Sequence, residues 1–434
     1  MSRVRILSNT QALFVGPAPS SGYHFLTHNG VPTGITSFSI VSGDAVFPNG
    51  AHNAIKQING LSELSYGIAT DRSDIKELGR KSNIDRAHIN HPEINLDFSY
   101  YGLDLRNEIR LGFNVNFPTG VNLTPFFSEN LKVPLISGFT TRATGSAYPN
   151  QSVWPHRDRD KRNFFVSIGP EGVDAKNDTG YLNSHVVGFG DCYIKSYSVN
   201  FQVGQIITHD LSYSAENIVF YLSGSGQIPA ANPINLQPVN NNRFVMPQFE
   251  TELISKDLLK SQDVTFDILS TGYGSSPEDA RDLGLNIADL KVQSAKITLN
   301  FNRQNLKGLG YKNHVDRVII NPTLATLSVE AIVGQDQEGT LRDLLIKDHD
   351  YNLTIKVQKT QDNCTLQAID FTTRVSYDFL KAKFNSIQYG NVLNEGKTVN
   401  LDFTAELTDD VTGRGLYMSG RVFRTGQLFS GFNF

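Results

Sequence analysis

The chain contains an internal duplication. The segment from Asp71 to Phe98 aligns without a gap to the segment from Asn302 to Val329, at a constant offset of 231 residues. Ten of the 28 aligned positions are identical, whereas ordinary residue frequencies would give about two. The identical pairs include Arg72 with Arg303 and Arg86 with Arg317. Because 434 residues are enough for two domains, the duplication predicts two copies of one fold.

A second pair of motifs follows the first in the same order. KSYSVNF (195–201) resembles KFNSIQY (383–389), and LSYSAE (211–216) matches LDFTAE (401–406). The first copy has about 43 additional residues between its two motifs, which we place in a loop at about 117–162 that is rich in Pro, Gly, Ser and Asn. We predict an N-terminal arm or extra strands at 1–56, a first domain at 57–225, a linker at 226–262 and a second domain at 263–434.

Alternation of apolar and polar residues predicts strands with one buried and one solvated face. It is clear in segments 295–301, 327–331, 353–357 and 399–405, and the 36 glycines, 27 phenylalanines and 16 tyrosines suit strands joined by turns. Short helices are predicted at 73–79, 302–310, 276–284 and 338–347. The expected fold is mainly β, with a minor α component: two tandem β-sandwich or barrel domains, each with a short flanking helix.

Charge and cysteine content exclude some classes of protein. A net charge of -4 and a pI near 6.2 argue against general nucleic-acid binding by phosphate neutralisation. Two cysteines give no disulfide framework and favour a reducing compartment. No signal peptide is expected from the first residues, and no apolar window is long enough to predict a membrane span.

Histidines near carboxylates are the first candidates for a metal site. His88, His91 and Glu93 lie close together, but the second copy has Ile319, Pro322 and Leu324 at the aligned positions. His156 and Asp158 form an H-x-D pair among several charged residues. We interpret both groups as polar loops and predict no metal site.

Other candidate residues are equally weak. The two glycines of segment 187–191 precede a predicted strand rather than a helix, so a phosphate cradle is not expected. Cys192 and Cys364 do not align between the copies, and free thiols are expected. The shared charges Asp85/Arg86 and Asp316/Arg317 are expected to pair with neighbours or across a subunit contact. We therefore predict no catalytic, cofactor-binding or metal-binding residues, no cofactor, and no enzymatic activity.

Two segments resemble a known family. SNTQALFVGP (8–17) and GDCYIKSYSVNFQVGQIITHDLSYSAENI (190–218) are similar to phage tail tube (major tail) proteins. With the duplication, the resemblance is to the version with two fused tube domains. It implies a structural virion protein, assembled in the host cytoplasm, whose trimeric, pseudo-hexameric rings stack into a tube. Implied partners are other tail proteins (terminator, baseplate, sheath or tape measure), and genomic DNA would pass through the lumen without specific binding.

Three alternatives stay open at this point. A baseplate hub or distal tail adapter would use the same two-domain ring but stop at one ring. A glycan- or host-binding β-sandwich would bind through the loop from Tyr148 to Trp154. A metal-dependent enzyme would use His88, His91 and His156. The number of copies per particle separates a tube from a hub.

Overall fold

A computed structural model describes residues 11–17, 56–70, 72–79, 81–88, 92–103, 105–111, 113, 115–116, 162–169, 185–222, 227–229, 243–245, 258–270, 291–306, 309, 316–320, 322–332, 350–359, 372–390, 397–407 and 415–420. These residues form mainly antiparallel β-sheet, which confirms the predicted fold class. The described α-helix, α1, spans Arg106–Leu111 in the first copy.

The first copy supplies the elements from β1 to β11. They are β1 (Gln11–Pro17), β2 (Lys56–Gln57), β3 (Leu61–Ala69), β4 (Arg72–Ile75), β5 (Asp85–His88), β6 (Glu93–Tyr101), β7 (Val115–Asn116), β8 (Arg162–Ile168), β9 (His185–Gln202), β10 (Thr208–Ala215) and β11 (Asn217–Leu222).

The linker and the second copy supply the remaining strands. The linker contains β12 (Gln227–Pro229), β13 (Arg243–Val245) and a 3-10 turn at Ser261–Asp263. The second copy contains β14 (Val264–Ser270), β15 (Lys291–Asn300), β16 (Arg303–Leu306), β17 (Asp316–Ile319), β18 (Thr323–Ile332), β19 (Tyr351–Lys359), β20 (Thr372–Gly390), β21 (Thr398–Leu407) and β22 (Gly415–Gly420).

One sheet runs through both copies. Its order is β20-β21-β18-β15-β9-β10-β6-β3, so each copy contributes four strands. The copies meet where β15 pairs with β9, from Ser294 opposite Gln202 to Asn300 opposite Ser196. The alternation predicted from sequence is present in these strands; β18, for example, has alternate residues buried. We call this eight-stranded surface the main sheet.

A second layer covers the apolar face of the main sheet. In the first copy it consists of β1, β8, the first half of β9, and β11; in the second copy it consists of β14, β19, the first half of β20, and β22. The long strands β9 and β20 therefore belong to both layers. Strand β7 of the first copy also pairs with β22 of the second copy. The core is a continuous apolar cluster that includes residues of both copies.

Strand register confirms the duplication. Strand β4 pairs with β5 from Arg72 opposite His88, and β16 pairs with β17 from Arg303 opposite Ile319, which is the same register at the offset of 231. The register of β3 on β6 shifts between Leu61 and Glu63, and that of β15 on β18 shifts at the equivalent place. Even the irregularities of the sheet are repeated.

Two of the predicted helices are wrong. Segments 73–79 and 302–310 begin with strands β4 and β16, each paired in a β-hairpin. An isolated helix of one or two turns is marginal because nucleation is costly, whereas the hairpin gains ladder hydrogen bonds along four residue pairs. The other two predicted helices, at 276–284 and 338–347, lie outside the described residues. Helix α1 was not predicted.

The sequence alignment of KSYSVNF (195–201) with KFNSIQY (383–389), which has an offset of 188, is wrong by two residues. The alignment of LSYSAE with LDFTAE has an offset of 190, and the sheet confirms it, because Leu211 lies opposite Phe98 as Leu401 lies opposite Val329. Tyr197 lies opposite Leu211, and Ile387 lies opposite Leu401, so β9 and β20 also match at 190 rather than 188. A shift of two keeps every side chain on its face, so alternation alone does not detect it.

Each long strand has one residue in the left-handed region where it passes between the layers. Asp191 has φ 47° and Lys381 has φ 53°, and they are equivalent at the offset of 190. Each N–H donates to an asparagine Oδ1 on the adjacent strand, at 3.0 Å, from Asp191 to Asn163 and from Lys381 to Asn352. This conformation is uncommon for non-glycine residues, and an asparagine supports it in both copies.

The additional residues of the first copy lie between β6 and β8. The offset is 231 at β6 and 189 at β8, where Phe164 and Leu353 occupy equivalent positions. Most of the predicted 117–162 loop is outside the described residues. Within the predicted N-terminal segment, β1 is a core strand equivalent in position to β14, with Leu13 and Phe14 fully buried. The domain boundaries stay predictions.

Candidate assembly site: the open edges of the main sheet

The joint between the copies shows how one edge of this fold accepts another. On the apolar face of β15, Ile297 and Leu299 are both 0% exposed, and their partners on β9, Val199 and Tyr197, are also 0% exposed. The side chains of both edges become part of one core, while the backbones complete each other's ladder. An edge of the first copy and an edge of the second copy are therefore complementary.

Strand β3 is one outer edge of the main sheet, and it is the counterpart of β15. It pairs with β6 on one side, and no described strand pairs with its other side. Tyr66 and Ile68 occupy the positions of Ile297 and Leu299, yet they are 36% and 50% exposed. Their exposure marks a surface that is buried in the other copy.

The second half of β20 is the opposite outer edge, and it is the counterpart of β9. From Lys383 onward it pairs with β21, and no other described strand borders it. Ile387 and Tyr389 correspond to Tyr197 and Val199; Ile387 is half-buried and Tyr389 is 44% exposed. An unpaired edge with apolar side chains is a template for pairing with another strand.

A hairpin of the second copy closes the joint from one end. Arg317, on β17, forms an ion pair with Glu216 of the first copy, and both side chains are less than 10% exposed. Its Nη1 also donates to Ser214 Oγ at 2.6 Å, and its guanidinium lies 5.4 Å from the ring centroid of Tyr193. Arg303, on β16, donates from Nε to the Ile194 carbonyl at 3.3 Å. Both arginines are identical in the two copies.

The solvated face of the main sheet carries an excess of negative charge. Cross-strand partners place seven carboxylates and four lysines of the described strands on it. The carboxylates are Glu63, Glu93, Asp97, Asp210, Glu330, Asp402 and Glu406, and the lysines are Lys195, Lys291, Lys296 and Lys383. Two of the lysines are paired, Lys195 with Glu93 at 3.2 Å and Lys383 with Asp350 at 3.0 Å. We call this surface the polar face.

A shallow groove of about 390 Å³ crosses the first-copy part of the polar face. Its side-chain lining consists mainly of serines and the carboxylates of Glu63, Asp97 and Asp210. Asp210 accepts hydrogen bonds from Ser99 Oγ at 2.7 Å and Asn200 Nδ2 at 2.6 Å, so it is held in place. The groove has no basic side chain in its lining, and a phosphate group would be repelled there.

A buried polar network joins helix α1 to the strands below it. Glu108 is 0% exposed; its Oε1 accepts from Tyr100 Oη at 2.8 Å and lies 3.0 Å from His209 Nδ1. Tyr197 Oη lies 2.9 Å from the same nitrogen. Burial is the main cause that raises the pKa of Tyr100, Tyr197 and Tyr377.

The network also connects the two copies, because Tyr377 of β20 hydrogen-bonds to Tyr197 of β9. Hydrogen bonding satisfies groups whose burial would otherwise be costly. The arrangement fastens the helix and the second copy to the centre of the first. It is a network that sequence reasoning missed, since its residues are scattered from position 100 to position 377.

Those residues singled out from sequence that the structure describes do not form one site. His88 ends β5, and Glu93 begins β6 and bonds to Lys195 instead of a histidine. His91, His156, Asp158, Cys364 and the segment from Tyr148 to Trp154 lie outside the described residues. Within the described ranges, no three His, Cys, Asp or Glu side chains are grouped closely enough to hold a metal ion.

The glycine pair of segment 187–191 lies inside a strand. Sequence reasoning placed it before a strand, whereas β9 runs from His185 through this segment without a break. Cys192 follows it as a free, buried thiol, and burial, followed by the nearby Asp191 carboxylate, raises its pKa. Such a thiol is a weak nucleophile. Among the described helices, none is long and apolar enough to cross a membrane.

Comparisons with known proteins give limited information. No protein-family profile and no curated protein match the chain. Among solved structures, the chain is similar to a protein in the cryo-EM structure of the anti-feeding prophage baseplate, which was six-fold symmetrised. The identity is 14%, the TM-score is 0.24, and the match covers 40% of this chain and 98% of that chain. At this TM-score the likeness identifies neither a fold nor a function.

Proposed function

We propose that this chain is a structural subunit of a phage tail tube, and that three chains pair edge to edge into a closed ring. The observation that carries the proposal is the duplication of the joint. Strand β3 has the core-facing apolar positions of β15, and β20 has those of β9. Within one chain, however, these two edges lie at opposite sides of the main sheet and cannot pair with each other. A head-to-tail contact between chains can repeat the contact within the chain.

The joint within the chain gives the register of the contact between chains. Ile297 lies opposite Val199 and Leu299 opposite Tyr197. Applying the offsets of 231 and 190 places Tyr66 opposite Tyr389, and Ile68 opposite Ile387, of the neighbouring chain. The four side chains that are exposed or half-buried in the single chain would then meet each other.

Closure of such contacts gives a wide barrel. Three chains with eight strands each supply about 24 strands, and a strand spacing of about 4.8 Å gives a barrel about 37 Å across the backbone before tilt is added. In the proposed barrel the second layer, which lies on the apolar side of the main sheet, faces outward, and the polar face lines the lumen. Its acidic excess suits a channel through which DNA moves without being retained.

Structural work of this kind needs no catalytic group, and we propose that the chain is not an enzyme. The buried Glu108 network serves the fold, and Cys192 is held as a buried thiol. In the proposed role the partners are further copies of this chain and other tail proteins, and the location is the virion.

Electron microscopy of the purified full-length chain, with its mass measured by light scattering, tests the proposal. Rings of three chains that stack into tubes are the expected result. Single rings of three that do not stack would replace the tube assignment with the hub or distal tail adapter. A chain that stays monomeric at high concentration, or that binds glycans as a monomer, would overturn the ring itself.

A further inference from the structure

We infer that an ion pair between chains, from Arg86 of one chain to Glu406 of the next, locks each ring interface. The inference rests on the proposed function, because it concerns the contact between neighbouring copies in the ring. It adds a specific interaction, away from the paired edges, that decides whether two edges can join.

The ion pair within the chain is the template. Arg317 and Glu216 are less than 10% exposed and hold the β16–β17 hairpin of the second copy against the first copy. Phe301 N–H also donates to the Lys195 carbonyl at 2.8 Å at the base of this hairpin. The hairpin therefore lies over the joint between β15 and β9.

Both ends of the template are duplicated in the sequence. Arg86 is the counterpart of Arg317 at the offset of 231, and Glu406 is the counterpart of Glu216 at the offset of 190. The hydroxyl that Arg317 contacts is kept as well, because Thr404 corresponds to Ser214. The duplicated arginine and the duplicated glutamate lie near opposite outer edges of the main sheet, on hairpin β4–β5 and at the end of β21.

Exposure shows that this second pair is not yet formed in the single chain. The Arg86 side chain is 66% exposed, against 8% for Arg317. Glu406 is exposed, whereas Glu216 is buried. When the β3 edge of one chain lies on the β20 edge of the next, the β4–β5 hairpin comes over the end of β21, as β16–β17 lies over the end of β10.

Two differences between the copies shape the contact. In the free chain Arg86 Nε pairs with Asp74 at 2.8 Å, whereas the equivalent of Asp74 in the second copy is Asn305. Asp74 holds the arginine along the hairpin until a neighbour provides Glu406. Tyr193, which stacks on Arg317, is replaced by Lys383, whose ammonium is bound by Asp350. The stacking is lost, but the carboxylate and the hydroxyl remain.

Charge exchange tests the pair. Arg86→Glu alone places two carboxylates together, and Glu406→Arg alone places two guanidinium groups together. Each variant should lower the association constant of one interface by about 30-fold or more, so that rings form only at higher protein concentration. The combined variant Arg86→Glu/Glu406→Arg should recover most of the loss. Asp74→Asn, which copies the second-copy residue, is the matched control; because it frees Arg86 from its partner in the single chain, it should assemble at least as readily as the wild type does.

The outcomes separate this inference from the proposed function. If the wild type forms rings and the single variants also assemble normally, the ion pair is overturned and the ring stands. The same holds if the combined variant is as defective as the single variants. Absence of rings in the wild type would overturn the proposed function itself. Both side chains are exposed in the single chain, so each variant monomer should fold. Circular dichroism and thermal melting of each variant check this.

Discussion

Replacement of Ile68 by lysine should abolish ring formation without unfolding the chain. Ile68 lies on the outer edge strand β3 and is 50% exposed, whereas its counterpart Leu299 is 0% exposed within the joint between the copies. Because Ile68 is already half-exposed, a lysine at this position should change the free energy of unfolding by no more than about 0.5 kcal/mol. Lysine on an edge strand is also a device that prevents strand pairing.

The effect on assembly follows from the burial that the interface completes. Full burial of an isoleucine contributes about 1.5–3 kcal/mol, so covering the exposed half of Ile68 contributes about 1 kcal/mol. An ammonium placed against Ile387 of the next chain costs about 1–2 kcal/mol more. Three interfaces lose about 6–9 kcal/mol together, which lowers the equilibrium constant for the ring by about 10⁴- to 10⁶-fold.

Sedimentation velocity at several protein concentrations measures this effect, with thermal melting as the check on folding. The matched control is Phe220→Lys, since Phe220 is 63% exposed on β11 and belongs to neither outer edge of the main sheet. The control should form rings. If Ile68→Lys also forms rings at wild-type concentrations, the edge formed by β3 is not the interface.

Three further predictions concern the fold and the lumen. Asn163→Ala should lower the free energy of unfolding by about 1–2 kcal/mol in urea titration, because it removes the buried acceptor that holds the N–H of Asp191. An unchanged urea midpoint would mean that Asn163 does not support the left-handed conformation of Asp191. The three buried tyrosines have a raised pKa in the folded state, so their contribution to stability is complete below the ordinary pKa near 10 and is lost as the pH rises further. The melting temperature should therefore fall above about pH 10, and Tyr377→Phe should reduce that fall. Equal pH dependence of the melting temperature in both proteins would contradict the assignment. Asp97→Lys should leave rings intact but make tubes retain DNA at low salt and release it at high salt; tubes that ignore DNA at every salt concentration would show that the polar face does not line the lumen.

Sequence was sufficient for the repeated parts of the fold. The duplicated segment was found because its identities survive in hairpins and strands, and alternation found β15, β18, β19 and β21 since one face of each is buried. Alternation has a period of two, however, and it could not distinguish an offset of 188 from 190 between β9 and β20. The two hairpins were mistaken for helices because short capped turns and short hairpins share polar residues and glycine.

The candidate assembly site could be predicted only in part. The shared arginines suggested an ion pair or a subunit contact, but the partner Glu216 becomes visible only when β9, β10 and the second hairpin are placed together. Nothing in the sequence distinguishes the core-facing Ile68 from the core-facing Leu299. Only the strand order shows that one lies inside the sheet and the other at its open end.

Disulfide trapping tests the central claim most directly, namely that β3 of one chain pairs with β20 of the next in the register of the internal joint. That register places Gly67 opposite Gln388 on the polar face, and a side chain added at Gly67 meets no atom within 4 Å. The variant Gly67→Cys/Gln388→Cys should form covalent oligomers that end at three chains on oxidation. The control Gly67→Cys/Ser386→Cys displaces one cysteine by two residues, to a diagonal distance of about 7–8 Å that a disulfide does not span. Covalent trimers from the first variant and few from the control are predicted; monomers from the first variant, or equal cross-linking by both, would contradict the account.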